Sequence, residues 1–211
     1  MTTSAVPAAR HFSMIRGFHL ADVFTLANAA CGVVAIGLAM QALATRRLDT
    51  LLWAAALTPA ALIFDVLDGR VARWRQTSSA LGRELDSLAD VISFGVAPAA
   101  LAFAAGMNGG WDALLLTYFV CCGVSRLARY NVTAEALSGI AGKVAYFEGT
   151  PIPTSAVLTA VIAWAVWQGR VGDALYGGAW SIAGAELHPL ALLFALSGTL
   201  MISKTLHIPK L

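Results

Sequence analysis

Charge is what this chain has least of. Only 12% of its 211 residues are Asp, Glu, Lys or Arg, against 58% hydrophobic, where a soluble domain carries roughly 25% charged residues. With a mean hydropathy of +0.72, that scarcity excludes an ordinary water-soluble domain and points to an all-α integral membrane protein. The formal net charge of +2 is small, and the basic residues form short clusters. No basic face for nucleic acid follows from such a pattern. Cysteine is also scarce. Cys31, Cys121 and Cys122 lie in apolar stretches without CxxC spacing, which leaves no thiolate metal or redox site and reads them as small core residues. His11, His19, His188 and His207 sit at the ends of apolar runs or in tails. No Ser-His-Asp or Cys-His arrangement is visible, so a covalent intermediate has no evident nucleophile.

Long apolar runs are abundant. A hydrocarbon core about 30 Å thick needs about 20 apolar residues in a helix, and six stretches qualify, near residues 22–43, 50–72, 84–106, 112–131, 151–168 and 188–204. Basic residues precede the first run as they would in a signal peptide. That run is of spanning length with no clear cleavage site, so it is read as retained. The segment ARHFSMIRGFHLADVF mixes Phe, Met, Ile and Leu with Arg and His, a composition suited to a short interfacial amphipathic helix. The chain thus reads as a single membrane domain, 1–211. Residues 1–21 form a tail and interfacial helix, 22–204 a six-helix bundle, and 205–211 a second tail.

Lys and Arg resist translocation. With six spans and the N-terminus inside, eleven basic residues (Arg10, Arg16, Arg70, Arg73, Arg75, Arg83, Arg126, Arg129, Lys143, Lys204 and Lys210) fall on the inner side and three (Arg46, Arg47 and Arg170) outside. Both termini are therefore expected in the cytoplasm of a cell-membrane protein. The glycine-rich stretch QGRVGDALYGGAWSIAGAEL then faces outward and carries no recognisable chemistry.

Against this background the segment DVLDGRVARWRQTSSALGRELDSLAD stands out. Asp65 and Asp68 are three apart and Asp86 and Asp90 four apart, so on helices each pair shares a face. An aspartate at the centre of a spanning helix costs about 2.5–3.5 kcal/mol. Four facing carboxylates must bind protons or cations. With no His or Cys nearby, hard oxygen ligands favour Mg²⁺, Mn²⁺ or Ca²⁺. Gly69, Ala72 and Gly82 are small residues beside the carboxylates, where they leave room for a flat ring, a phosphate or a packed helix. Pairing of the aspartates with Arg70, Arg73, Arg75 and Arg83 at a solvated membrane edge is the alternative without chemistry.

The spacing D-x2-D-G-x2-A-R-x8-G-x3-D-x3-D runs unbroken from Asp65 to Asp90 and resembles the signature of the CDP-alcohol phosphotransferases. SFGVAPA at 93–99, SRLARYNV at 125–132 and FEGTPIPTSA at 147–156 resemble the branch that transfers a phosphatidyl group from CDP-diacylglycerol to L-serine. The resemblance implies metal ligation by Asp65, Asp68, Asp86 and Asp90, with two Mg²⁺ or Mn²⁺ ions per subunit, and a catalytic role for Asp86 and Asp90, the latter as base toward the acceptor hydroxyl. It further implies a CDP pocket of Thr25, Asn28, Asp65, Asp68, Gly69, Ala72, Arg73 and Gly82, and a homodimer among membrane lipids. Ser125, Arg126, Arg129 and Asn131 are the candidates for serine or phosphate, with Lys143 and Glu148 behind them.

Three other readings remain in view. Glycerol 3-phosphate or inositol phosphate could replace serine as acceptor. A cation channel or transporter would distribute acidic groups through the membrane depth, whereas the far side here has only Asp49, Asp112, Asp173 and Glu186, in or beside loops. A scaffold would not require the carboxylate spacing.

Overall fold

The computed structural model describes residues 19–75, 80–138, 146–203 and 207–209. The expected interfacial helix and Lys143 lie outside these residues. Helix α1 spans Leu20–Thr45, α2 Leu48–Arg75 and α3 Ala80–Asp90; a π-helical turn, Val91–Val96, continues α3 into α4, Ala97–Ala104. Helix α5 spans Gly110–Ser138, and the short strand β1 (Tyr146–Glu148) and a 3-10 turn (Ile152–Ser155) lead into α6, Ala156–Trp167. Strands β2 (Trp180–Ile182) and β3 (Ala185–Leu187), helix α7 (Ala191–Ile202) and strand β4 (His207–Pro209) complete the order. The helical character therefore holds, with two small two-stranded pairings among the described residues: β2 with β3, and β1 with β4, where Phe147 is in register with Ile208.

Among the described residues, four helices are long and apolar enough to cross a membrane: Leu20–Thr45, Leu48–Trp74, Leu81–Ala104 (running through the π turn) and Gly110–Val132. The segments Ile152–Trp167 and Ala191–Ile202 are apolar but shorter. At 1.5 Å per residue a helix of 12 residues is about 18 Å long, less than a hydrocarbon core.

Helix α1 starts on a capping arrangement in which the His19 backbone N–H donates to Asp22 Oδ2 at 2.7 Å. It ends where Arg46 takes the left-handed conformation, φ 53°, its N–H donating to Ala42. Its buried stripe, Ala21, Asp22, Thr25, Asn28, Gly32, Ala35, Ala39 and Ala42, is made of small or polar residues. Helix α2 packs along this stripe, as do α3, the π turn and α4. Bulky side chains point the other way: Val33, Val34, Met40, Trp53, Ile63, Leu88, Leu114 and Trp164 are all exposed. Small residues inside and large apolar ones outside is the arrangement for helices whose solvent is lipid.

Helices α5 and α7 close the other side. Gly198 lets α7 approach so closely that a Cβ there would meet Phe119 Cα at 3.1 Å. Phe119 and Phe194 pack edge to face at 5.2 Å. Of the cysteines read as core residues, Cys122 is buried, Cys31 half-buried and Cys121 exposed, and all three are free. Cys121 differs because its neighbour Cys122 takes the inward face of the same helix.

The glycine-rich stretch after α6 is largely exposed, with Leu175 and Leu187 buried in it. Positive φ at Ala183 and Gly184 turns the β2–β3 hairpin, as two-residue hairpins require. Beneath it Asp112 is fully buried, accepting from the His188 N–H at 2.7 Å and the Gly109 N–H at 3.0 Å and sharing a 2.7 Å contact with His188 Nδ1. No local pattern betrays this pair, because its members lie 76 positions apart. Replacing Asp112 by Ala strands these buried donors and should cost about 3–5 kcal/mol, read as a lower unfolding midpoint of the detergent-solubilised protein.

Candidate active site

Antiparallel neighbours bring the polar ends of several helices to one end of the bundle. The start of α1, the end of α2, the start of α3 and the latter half of α5 meet there, along with the start of α6 and the end of α7. Asp68 lies about two turns and Asp65 nearly three from the end of α2, and Asp86 and Asp90 lie on α3. One ligand oxygen each from Asp65, Asp68 and Asp86 lies within 4.8 Å of the others. Asp90, one turn beyond Asp86, is buried and takes a hydrogen bond from Asn28 Nδ2 at 3.2 Å.

Helix α1 supplies the donors. The Thr25 hydroxyl lies 2.8 Å from Asp68 Oδ2, nearer than the Ala21 carbonyl at 3.2 Å. Thr25 and Asn28 are both buried, as are Asp68 and Asp90. Asp22, one turn before Thr25 on the same stripe, is buried as well, and its charge bears on Asp68. Sequence reading took Thr25 and Asn28 but missed Asp22. The signal was the spacing of three polar residues, 22, 25 and 28, on one face of an apolar span.

Three converging carboxylates repel one another, and the buried Asp86 Oδ1 has no hydrogen-bond partner among the described residues. A hard divalent cation fits this donor set: anionic oxygens, close together and without nitrogen or sulfur. Space for a ligand adjoins it. Gly69 is half-buried, and a Cβ added there would meet nothing nearer than Arg73 Nη2 at 3.9 Å. Arg73 is exposed, while Ala72 and Gly82 are half-buried.

The residues of α5 divide. Arg126 is buried, close enough to Asp90 for their charges to interact, and its Nε has no hydrogen-bond partner among the described residues. Arg129 turns toward the end of α7, both terminal nitrogens 3.5 Å from the Ile202 carbonyl. Asn131 ties α5 to α3, its Nδ2 donating to Ser87 Oγ at 3.0 Å and to Glu84 Oε1 at 3.3 Å. Ser125 is exposed. Glu148 belongs to β1, which pairs with β4 where sequence reading expected a tail.

A carboxylate cluster with hydroxyl, amide and guanidinium neighbours is suited to hold a divalent cation that assists transfer at a phosphate. The model of the CDP-alcohol phosphatidyltransferase domain matches residues 18–198. The chain belongs to the CDP-alcohol phosphatidyltransferase family.

Within this family the chain is 44% identical over 203 residues to the CDP-diacylglycerol–serine O-phosphatidyltransferase of Saccharomyces cerevisiae, a match covering 95% of this chain and 74% of the yeast protein. It is 47% identical over 104 residues to the Helicobacter pylori protein of the same name, covering 48% of this chain and 42% of that one. It is 38% identical over 141 residues to the archaetidylserine synthase of Methanothermobacter thermautotrophicus, covering 65% and 54%. The matched stretches thus take in about three quarters of the yeast relative and roughly half of the other two.

Divalent cations are what the carboxylates of a CDP-alcohol phosphatidyltransferase are built to hold, and their repulsion gives the test. Asp86→Asn should abolish the rise in unfolding midpoint that Mn²⁺ produces in the parent protein. The same substitution should raise the midpoint of the metal-free protein, because one of the mutually repelling charges is gone.

Proposed function

We propose that the chain transfers the phosphatidyl group of CDP-diacylglycerol to the hydroxyl of L-serine, releasing CMP. The observation that carries this reading is the Asp65–Asp68–Asp86 convergence in a chain whose extensive likeness to the yeast enzyme covers nearly its whole length. In this reading residues 1–211 form one domain with six crossings, the two shorter apolar helices among them, preceded by an interfacial amphipathic helix. The eleven-to-three division of basic residues supports cytoplasmic termini and a cytoplasmic site in the cell membrane. A homodimer is the assembly that the family resemblance implies.

Asp65, Asp68 and Asp86 would hold one divalent cation and Asp90 would complete the site for a second, Mg²⁺ or Mn²⁺. Bound there, the cations would neutralise the diphosphate and stabilise the departing CMP oxygen. Thr25 fixes the Asp68 carboxylate, and Asn28 fixes that of Asp90. The opening above Gly69, with Ala72 and Gly82 beside it, admits cytidine and diphosphate, and Arg73 reaches over it toward the phosphates. Asp90 takes the proton from the serine hydroxyl as the new P–O bond forms and the P–O bond to CMP breaks. With no Ser-His-Asp or Cys-His arrangement in the sequence, transfer is read as a single displacement, with inversion at phosphorus.

The lipid tails need an apolar path from the same place. A groove of about 570 Å³ lies between α2 and α6, lined among others by Leu52, Ala55, Pro59, Leu62, Ala160 and Trp164. Leu62 is one turn from Asp65, so a tail entering there leaves the head group beside the carboxylates. Serine is a zwitterion, and the buried guanidinium of Arg126 beside Asp90 offers a cation to its carboxylate.

Two measurements test the reading. Purified protein given Mn²⁺ or Mg²⁺, CDP-diacylglycerol and one of serine, glycerol 3-phosphate or inositol phosphate should release CMP with serine alone, and Asp86→Asn should reduce that release to background. Release only with another acceptor would refute serine as the acceptor. Arg126→Ala should raise the KM for serine about tenfold or more, as loss of a charge-assisted hydrogen bond of about 1.5–3 kcal/mol implies. The KM for CDP-diacylglycerol should change much less, and equal effects on both would rule out a carboxylate clamp.

A further inference from the structure

Directly after Asp90 the third span leaves α-helical geometry. Residues Val91–Val96 form a π-helical turn, closed by the Ala97 N–H donating to the Ile92 carbonyl five residues back. Such a turn takes in one residue more than α geometry does, which rotates the downstream helix by about 100° relative to the upstream one. The carboxylate face of α3 and the packing face of α4 (Ala97, Pro98, Leu101 and Ala102, all buried) are therefore set independently of each other.

The turn adjoins a proline and has an external hold. In an α-helix the Phe94 carbonyl would accept from the N–H four residues on. That residue is Pro98, which has none. A buried carbonyl so deprived needs another donor, and Ser155, fully buried at the start of α6, supplies it: its hydroxyl donates to the Phe94 carbonyl at 2.6 Å. A second hold acts from α1. Ser93 Oγ donates to the Asn28 carbonyl at 2.8 Å, while the side chain of the same Asn28 donates to Asp90. Gly32 permits that approach, since a Cβ there would stand 2.6 Å from Ser93 Oγ. Ile152, one turn before Ser155, wedges between Gly95 and Gly123. The turn is thus gripped from α1, α5 and the entry to α6.

We infer that Ser155 is a positioning residue for Asp90: by holding the π turn beside Pro98, its hydroxyl sets the direction in which Asp90 faces the other three carboxylates. The inference rests on the reading of Asp90 as a ligand to a divalent cation. It gives the SFGVAP and TPIPTS stretches a shared physical task, in that the proline of one creates the vacancy that the serine of the other fills.

The test is Mn²⁺ affinity, followed by the EPR signal of free Mn²⁺ during titration of monodisperse protein in detergent. Three variants and a metal-free unfolding midpoint are needed. Ser155→Ala should weaken Mn²⁺ binding about tenfold or more, the range found when groups behind metal ligands are removed, and Ser155→Thr, which keeps the hydroxyl, should restore it. Pro98→Ala returns an N–H to the helix, competes with Ser155 for the Phe94 carbonyl and relaxes the turn. It should weaken Mn²⁺ binding in the same direction while leaving the metal-free midpoint equal or higher. A purely structural role would move the midpoint and leave the affinity unchanged. Mn²⁺ affinity within twofold of the parent in Pro98→Ala would overturn the inference, whatever Ser155→Ala does, and would decide the matter if that variant failed to fold. No acceptor is present in this measurement, so its outcome is independent of whether serine is the alcohol used.

Discussion

Mutual repulsion among carboxylates in a medium that screens poorly is the constraint around which the bundle is arranged. Two unit charges about 4 Å apart repel by on the order of 4 kcal/mol near a protein surface, and by more where water is excluded. Asp65, Asp68 and Asp86 converge to within 4.8 Å, with Asp90 buried one turn away. Protein donors meet only part of this demand. Thr25 and Asn28 each supply one hydrogen bond, and Arg126 stands near Asp90, but Asp86 Oδ1 has no partner among the described residues. Such a cluster takes up protons or cations, and binding of a divalent cation there would be coupled to the fold of this end of the bundle.

Holding such a cluster requires helices that approach closely without bulky side chains intervening, and the composition of the interior reflects this. Gly32 meets Ser93, Gly123 meets Ile152, and Gly198 meets Phe119 and Cys122, so the tight crossings involve the same helices that carry site residues. Many of the long apolar side chains, Trp53, Ile63, Leu88 and Trp164 among them, are on the outer surface. Lipid is an adequate solvent for them, so they contribute little to holding the helices together. Packing of small residues and hydrogen bonds between helices have to do that. Ser155 to Phe94, Ser93 to Asn28 and Asn131 to Ser87 are bonds of this kind, and each ends at or near a carboxylate-bearing helix.

Much of this was legible in the sequence, unevenly. The span positions follow from runs of apolar residues, and the first four agree with the helices to within a few residues, apart from the longer C-terminal end of α5. The pairing of each aspartate with its neighbour on a helix face follows from intervals of three and four. What could not be read were relations between distant residues. Asp112 with His188 is one case, and β1 with β4 is another. The π turn was the most consequential, because a six-residue departure from α geometry leaves hydropathy unchanged. Its one local sign was Pro98 in the interior of an expected span, a residue that obliges the chain to find a donor elsewhere.

The division of labour among the α5 residues bears on what distinguishes one acceptor from another. Arg129 is engaged at the last carbonyl of α7 and Asn131 with Ser87 and Glu84, so both serve to hold helices together. Arg126 is different: buried, near enough to Asp90 for their charges to interact, with an Nε that has no partner among the described residues. One guanidinium suits a single carboxylate, which carries one negative charge. An acceptor bearing a phosphate carries nearly two and would call for a second cation at the same place. Among the described residues of α5 the other guanidinium is already committed to the α7 terminus, so the charge available beside Asp90 matches an amino acid better than a sugar phosphate or glycerol phosphate.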